Sequence, residues 1–240
     1  MDTSNSNHKL KSLSIIFPVY KDSKTVENMI SKSALLLSKY DFDSEIVVVN
    51  DSCPDGSGKI AENLKNKYQN LVVLHHEKNK GYGEALKTGF KACTKEWILQ
   101  ADGDDQYDIN EIENMIKILH NYDCIITFRY KKIYNTFRIF VSWFYNKLVR
   151  FIFKTNFRDI STGLRLINRK ALNDLNLISS SSFIGAEIAI ALMLKGYQIG
   201  EMGIVTYPRK FGNGGVVTLK GIVLTIIDLI KVYKHLFKKK

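Results

Sequence analysis

Residues 45–51 read Glu-Ile-Val-Val-Val-Asn-Asp. Four apolar residues follow one another, and three of them are valine. A strand with one wet face alternates apolar and polar positions, whereas a short unbroken run is a strand covered on both faces. β-branched side chains suit that pleated, packed setting. The turn-forming run Asp51-Ser-Cys-Pro-Asp-Gly56 then stops the strand. Strands covered on both faces belong to parallel sheets flanked by helices. The stretch therefore predicts an α/β fold with a mostly parallel sheet. It also places Asp51 just past a strand's carboxyl end, where ligands of such sheets bind.

The neighbouring segments agree. Apolar runs at 13–17, 71–75, 97–101 and 124–127 read as strands, the first stopped by Pro18. Helical spacing occupies 25–38, 57–68, 82–93 and 109–120 between them. The second half is different in kind. An aromatic and cationic helix is predicted over 134–153, and a turn with a short strand over 158–172. A helix over 183–195, a strand over 198–205, a glycine-rich loop over 206–215 and a helix over 218–237 follow. The expected organisation is a polar tail at 1–11, one catalytic domain at 12–215 and an amphipathic basic helix at 216–240.

Charge is divided along the chain. Residues 1–127 hold 15 Lys and Arg against 19 Asp and Glu, while residues 128–170 hold 11 against 1 and residues 207–240 hold 8 against 1. Basic blocks of this kind meet nucleic acid, an anionic membrane surface or a phosphorylated substrate. None of the nucleic-acid-binding motifs is present, which argues against a nucleic-acid-binding protein. No segment holds the roughly 18–20 uninterrupted apolar residues of a membrane span, and residues 1–11 do not read as a signal peptide. The expected location is the cytoplasm, peripheral on the cytoplasmic face of a membrane. Cys53, Cys93 and Cys124 are odd in number and widely spaced, which reads as reduced thiols.

Residues 100–108, Gln-Ala-Asp-Gly-Asp-Asp-Gln-Tyr-Asp, crowd four aspartates after a strand end. In a turning loop Asp102, Asp104 and Gln106 can point the same way and offer oxygen ligands to Mg²⁺ or Mn²⁺. Acidic turns are equally common as solvated loops and helix starts. Spacing alone leaves both readings open. Asp108 is expected to cap the following helix and Asp105 to face solvent. The Gly-x-Gly of residues 81–83 follows the third strand and lacks the third glycine of a dinucleotide fingerprint, so a nicotinamide enzyme is excluded. His75 and His76 read as structural or solvated, and no nucleophilic triad is visible. Arg129, Arg138, Arg158, Arg165 and Arg209 lie in acid-poor segments and suit phosphate recognition, while Arg150 and Arg169 read as solvated.

Taken in order, these pieces resemble the family 2 glycosyltransferases of the GT-A fold, in the dolichol-phosphate mannose synthase-like branch. The matching stretches are Leu13-Ser-Ile-Ile-Phe-Pro-Val-Tyr20, Glu45 to Asp51 with Asp55-Gly-Ser57, Asn79-Lys-Gly-Tyr-Gly-Glu-Ala85, Asp102-Gly-Asp-Asp-Gln106, Asp159-Ile-Ser-Thr-Gly-Leu-Arg165 and Tyr207-Pro-Arg-Lys-Phe-Gly212. The resemblance implies that Pro18, Tyr20, Asp22 and Asp51 hold the nucleotide of a GDP- or UDP-linked sugar donor. It implies Asp102 beside ribose and diphosphate, with Asp104 and Gln106 as metal ligands. Arg129, Arg138 and Arg209 match positions that bind the donor diphosphate or the acceptor phosphate, and Glu187 an acidic position on the acceptor side. After Arg209 the branch's lysine is missing, since the loop reads Gly212-Asn-Gly-Gly215. The expected reaction is inverting sugar transfer to a polyprenyl phosphate. A hydroxyl acceptor is the alternative and needs a base, for which Glu187 or Asp159 would serve. A sugar nucleotidyltransferase is excluded, because the first strand runs into Pro-Val-Tyr-Lys rather than a glycine-rich loop.

Overall fold

The computed structural model describes residues 10–131, 136–208 and 218–237. Seven strands form one sheet: β1 (Ser12–Val19), β2 (Asp43–Asn50), β3 (Leu71–His75), β4 (Trp97–Gln100), β5 (Cys124–Arg129), β6 (Arg165–Asn168) and β7 (Ile199–Ile204). The helices are α1 (Val26–Leu37), α2 (Ser57–Asn63), α3 (Tyr82–Ala92), α4 (Ile112–Ile118), α5 (Thr136–Phe153), α6 (Arg169–Asn173), α7 (Ile184–Leu194) and α8 (Leu219–Phe237).

The valine run behaves as its composition requires. Ile46 and Val48 of β2 point into one core layer with Ile15 and Phe17 of β1 and with Val26, Met29 and Ile30 of α1. Val47 and Val49 point into the opposite layer with Ile16 and with Ala85, Leu86 and Phe90 of α3. All four β2 positions are 0% exposed, so neither face tolerates a polar residue.

Sheet order is β3-β2-β1-β4-β6-β5-β7. β1 pairs in parallel with β2 and β4, β2 with β3, and β5 with β7. β6 departs from the parallel expectation, running antiparallel to both β4 and β5. Its register gives the reason. Arg165, the first residue of β6, lies opposite Gln100 at the end of β4 and Ile126 midway along β5. The chain thus leaves β5 at the carboxyl edge of the sheet and re-enters β6 at that same edge. A connection that starts and ends on one edge reverses the strand direction. The described part of this connection, 130–131 and 136–164, is consequently inserted from the edge where ligands bind in such sheets.

Two expectations about arginine and acid are corrected here. Arg165 is 1% exposed and donates to the Gly185 and Thr162 carbonyls. It ties β6 to α7 and is not presented to a phosphate. Asp105 is 6% exposed rather than solvated; its carboxylate binds Lys32 Nζ at 2.6 Å and Asn28 Nδ2 at 3.1 Å. Asp108 does cap the next turn, accepting from Asn110 N at 3.0 Å. Arg165→Ala would remove the side-chain donor to both carbonyls and leave a cavity. The expected loss of unfolding free energy is about 3 kcal/mol by urea titration.

Candidate functional site

β2, β1 and β4 are neighbours, and their carboxyl ends carry Asp51, the 20–22 turn and Asp102 respectively. The order reverses here, with β2 on one side of β1 and β4 on the other, so this is the switch point of the sheet. Three of the non-glycine residues with positive φ, Lys21, Ser52 and Asp105, lie on the loops leaving these strands. Backbone strain of this kind gathers where a loop is held in one shape by its surroundings.

Asp51 is 3% exposed. Its Oδ1 accepts from Lys80 N at 2.8 Å and its Oδ2 from Gly81 N at 2.8 Å. His76 Nδ1 lies 2.7 Å from Oδ1, and Thr88 Oγ1 lies 2.9 Å from His76 Nε2. The carboxylate therefore sets the imidazole tautomer, with the proton on Nδ1 facing it. Next along the same turn, the Tyr82 hydroxyl donates to Asp102 Oδ1 at 2.6 Å and accepts from Gln100 Nε2 at 3.2 Å. Burial, and then the charge of Asp102, push the Tyr82 phenol well above its ordinary pKa, which keeps it a donor. One backbone turn at 80–82 therefore grips both acids.

The acidic turn itself is held from α1. Thr25 Oγ1 donates to Gly103 O at 2.7 Å, and Lys32 fixes Asp105. Gln106 N donates to Asp104 Oδ1 at 3.2 Å, and Gln106 Nε2 to Tyr207 O at 3.3 Å. A Cβ at position 163 would collide with the Asp102 carboxylate, so only glycine lets the 159–163 loop lie against it. Asp102, Asp104 and Gln106 thus sit on one turn with hard oxygen donors, the chemistry that Mg²⁺ and Mn²⁺ accept. Among the described residues, no three His, Cys, Asp or Glu side chains form a preformed metal cage. A cation here would complete its shell with water and ligand oxygens.

On β1, Pro18 is buried and Tyr20 is 41% exposed at the rim. Asp22 Oδ2 accepts from Tyr20 N at 3.1 Å, and the Cys53 thiol braces the turn against Val19 O at 3.2 Å and Lys21 N at 3.3 Å.

The second half contributes differently. Arg129 donates through Nε to Asp159 at 2.8 Å and through its other arm to Ser161 Oγ at 2.7 Å. Asp159 also accepts from Asn146 Nδ2 and from Ser161. Arg158 stacks over the Phe128 ring at 4.7 Å. Arg138 is half-buried on α5. Arg209 lies outside the described residues. Glu187 is 1% exposed, and its two oxygens accept from Ile178 N and Ser179 N. The two carboxylates named as bases, Glu187 and Asp159, are each engaged by several internal donors.

His76, expected to be structural or solvated, is buried against Asp51, and Tyr82, given no role of its own from the sequence, binds Asp102. Only the fold brings the strand end at 76 and the turn at 82 onto those acids. The aromatic helix expected over 134–153 turns one aromatic stripe outward. Phe140, Trp143, Phe144 and Phe151 of α5 are all exposed, and Lys147 Nζ lies 5.0 Å from the Trp143 ring centroid. α8 has two apolar faces: Leu229, Val232 and Leu236 pack on the core, while Leu219, Val223, Ile226, Ile227 and Ile230 are exposed. Among the described residues no helix is long and apolar enough to cross a membrane.

The thiols give a check on this packing. Burial pushes Cys93 and Cys124 up to about 12 and raises half-buried Cys53 less far. Iodoacetamide at about pH 8 is expected to label Cys53 first and the other two only after denaturation. Labelling of Cys124 in the folded chain would contradict the core described here.

Comparison with known proteins agrees with the fold. The family model described as Glycosyl transferase family 2 matches residues 14–175. Glycosyltransferase AglD of Haloferax volcanii is 23% identical over 82% of this chain and 33% of its own length. Dolichyl-phosphate beta-glucosyltransferase ALG5C of Trichomonas vaginalis is 31% identical over 42% of this chain and 32% of its own. The chain spans about a third of the length of these curated relatives. Among solved structures, glucosyl-3-phosphoglycerate synthase of Mycobacterium tuberculosis, crystallised with Mn²⁺, UDP and phosphoglyceric acid, superposes with a TM-score of 0.74. It is 15% identical, covering 93% of this chain and 78% of its own. Mannosyl-3-phosphoglycerate synthase of Rubrobacter xylanophilus gives a TM-score of 0.70 at 12% identity, over 95% and 74% of the two chains. With a GT-A-type sheet and a family match over most of its length, the chain belongs to glycosyl transferase family 2.

Proposed function

We propose that this chain transfers a sugar from a nucleotide-diphosphate sugar to a polyprenyl phosphate at the cytoplasmic face of a membrane, with Mg²⁺ or Mn²⁺. The observation that carries the donor half is the joint placement of Asp51 and Asp102 at the sheet's switch point, braced by one turn. Pro18, Tyr20, Asp22 and Asp51 would line the nucleotide side. Asp102, Asp104 and Gln106 would hold the cation, which when bound neutralises charge on the leaving diphosphate. Relatives in the family and the Mn²⁺ and UDP of the mycobacterial enzyme support this reading.

Two observations favour a phosphate acceptor over a hydroxyl. A hydroxyl needs a base, yet Asp159 and Glu187 are committed to internal donors. An acceptor phosphate is already ionised and needs no proton removed. The cationic 130–164 insertion lies on the same edge as the acids and suits an anionic acceptor. The exposed faces of α5 and α8 carry aromatic and aliphatic residues beside Lys147, Lys220, Lys231 and Lys234, the composition of helices that lie in a membrane interface. Arg129 would then act by fixing the 159–163 loop against Asp102, and Arg138 and Arg209 would meet phosphate.

The test is a donor panel read by thermal shift with Mn²⁺. The matching nucleotide sugar, at about 100 times its Kd, is expected to raise Tm by about 5–10 °C. Asp104→Ala should remove the metal-dependent part of that rise; a variant that keeps it would rule out Asp104 as a ligand. A labelled donor should yield a lipid-linked product from polyprenyl phosphate, and absence of product across the panel would refute the acceptor. Co-sedimentation with phosphatidylglycerol vesicles should fall about tenfold for the Trp143→Asp, Ile227→Asp double variant. Unchanged sedimentation would refute the membrane contact.

A further inference from the structure

Four consecutive backbone amides, those of residues 178–181, end on two buried carboxylates from two different helices. Glu187 of α7 accepts from Ile178 N at 2.8 Å and Ser179 N at 2.9 Å. Asp228 of α8 accepts from Ser180 N at 2.9 Å and Ser181 N at 2.8 Å, both through Oδ2. The two acids are 1% and 3% exposed. Buried carboxylate oxygens need donors in place of water, and the four amides supply them. Asp228 also stands on the face of α8 that packs inward, beside Leu229 and Val232.

The segment held this way is the floor beneath the turn that grips Asp51 and Asp102. Ser180 O accepts from Gly83 N at 2.9 Å. A Cβ at position 83 would come within 2.7 Å of both Ser179 O and Ser180 C, so the two backbones touch and only glycine fits. On its other side the turn presents Lys80 N and Gly81 N to Asp51 and the Tyr82 hydroxyl to Asp102. A continuous contact path therefore runs from α8, through residues 180–181 and the 80–83 turn, to both acids. Its origin lies outside residues 14–175, the part that matches the family model.

We propose that Asp228, together with Glu187, is a positioning residue for the donor site, so that seating of the C-terminal helix controls nucleotide affinity. The proposal rests on the reading of Asp51 and Asp102 as donor-binding residues. Loss of the Asp228 carboxylate leaves the amides of Ser180 and Ser181 without an acceptor. The segment must then shift to find water, and the Gly83 contact carries that shift into the turn. Asp51 loses the aim of two amides at once, although nothing at Asp51 has been changed. Deletion of α8 would act in the same direction.

The experiment uses the full chain, with UDP and GDP in the presence of Mn²⁺ as probes. Binding is measured by calorimetry, and hydrogen exchange is followed at the 80–83 and 178–181 amides. Asp228→Ala is expected to weaken binding of the preferred nucleotide about tenfold. Exchange at residues 80–83 should speed up while the β1 and β2 amides keep their protection. Asp228→Asn retains an oxygen acceptor and should recover most of the affinity, which a general loss of stability would not reproduce. If Asp228→Ala does not fold, the decision passes to Asp228→Asn, whose 80–83 amides should still exchange faster than wild type. Wild-type binding with unaltered affinity and unaltered exchange at 80–83 in the variants would overturn the positioning role alone. Failure of the wild-type chain to bind either nucleotide would overturn the donor-site reading and this inference with it.

Discussion

A buried carboxylate, Asp51, and a half-buried one, Asp102, stand on adjacent parts of one sheet edge, and the turn at residues 80–82 supplies donors to both. Lys80 N and Gly81 N serve Asp51, and the Tyr82 hydroxyl serves Asp102. An unpartnered buried carboxylate would be neutralised or would expel itself to solvent. The turn fixes both acids in place while the rest of the fold holds the turn. His76, held in turn by Thr88 of α3, braces Asp51 directly, and residues 178–181 brace the turn from beneath. The glycine-rich character of residues 81–83 follows from this crowding and not from any dinucleotide chemistry.

The antiparallel strand β6 has a consequence beyond topology. Because β5 ends and β6 begins on the carboxyl edge, the 130–164 insertion is delivered to the acids. The basic second half of the chain is thereby joined to the sheet edge that carries the acids. Arg129 and Asp159 lock the end of that insertion internally, and Gly163 brings it against Asp102. The insertion is thus a built wall of the site and not an appendage beside it. Its outward side is the aromatic stripe of α5, and α8 meets it through Tyr233 and Phe237 on Phe153. The two helices that carry exposed apolar faces are in contact with each other and with the core.

Much of this was legible in the residues. The valine run, the alternation of strands with helices and the crowded aspartates gave the sheet, the ligand edge and the acidic turn, because burial on two faces and charge crowding leave local signatures. Element positions agreed to within a few residues, as with α3 predicted at 82–93 and found at Tyr82–Ala92. What could not be read were pairings between distant segments. Nothing near Arg165 announces that its partners are the carbonyls of residues 162 and 185. Nothing near Asp105 announces Lys32. Arginine in an acid-poor segment reads as a phosphate ligand until the fold closes around it.

The chain's local chemistry, by itself, determined a two-faced sheet and placed oxygen-rich loops at its carboxyl ends, since hydrophobic periodicity and turn residues act over a few positions. Folding settled which acids reach the ligand edge, which arginines are locked inside, and that a carboxylate in the last helix underpins the turn at residues 80–83. Those outcomes depend on burial, and burial is created by segments brought together from across the sequence.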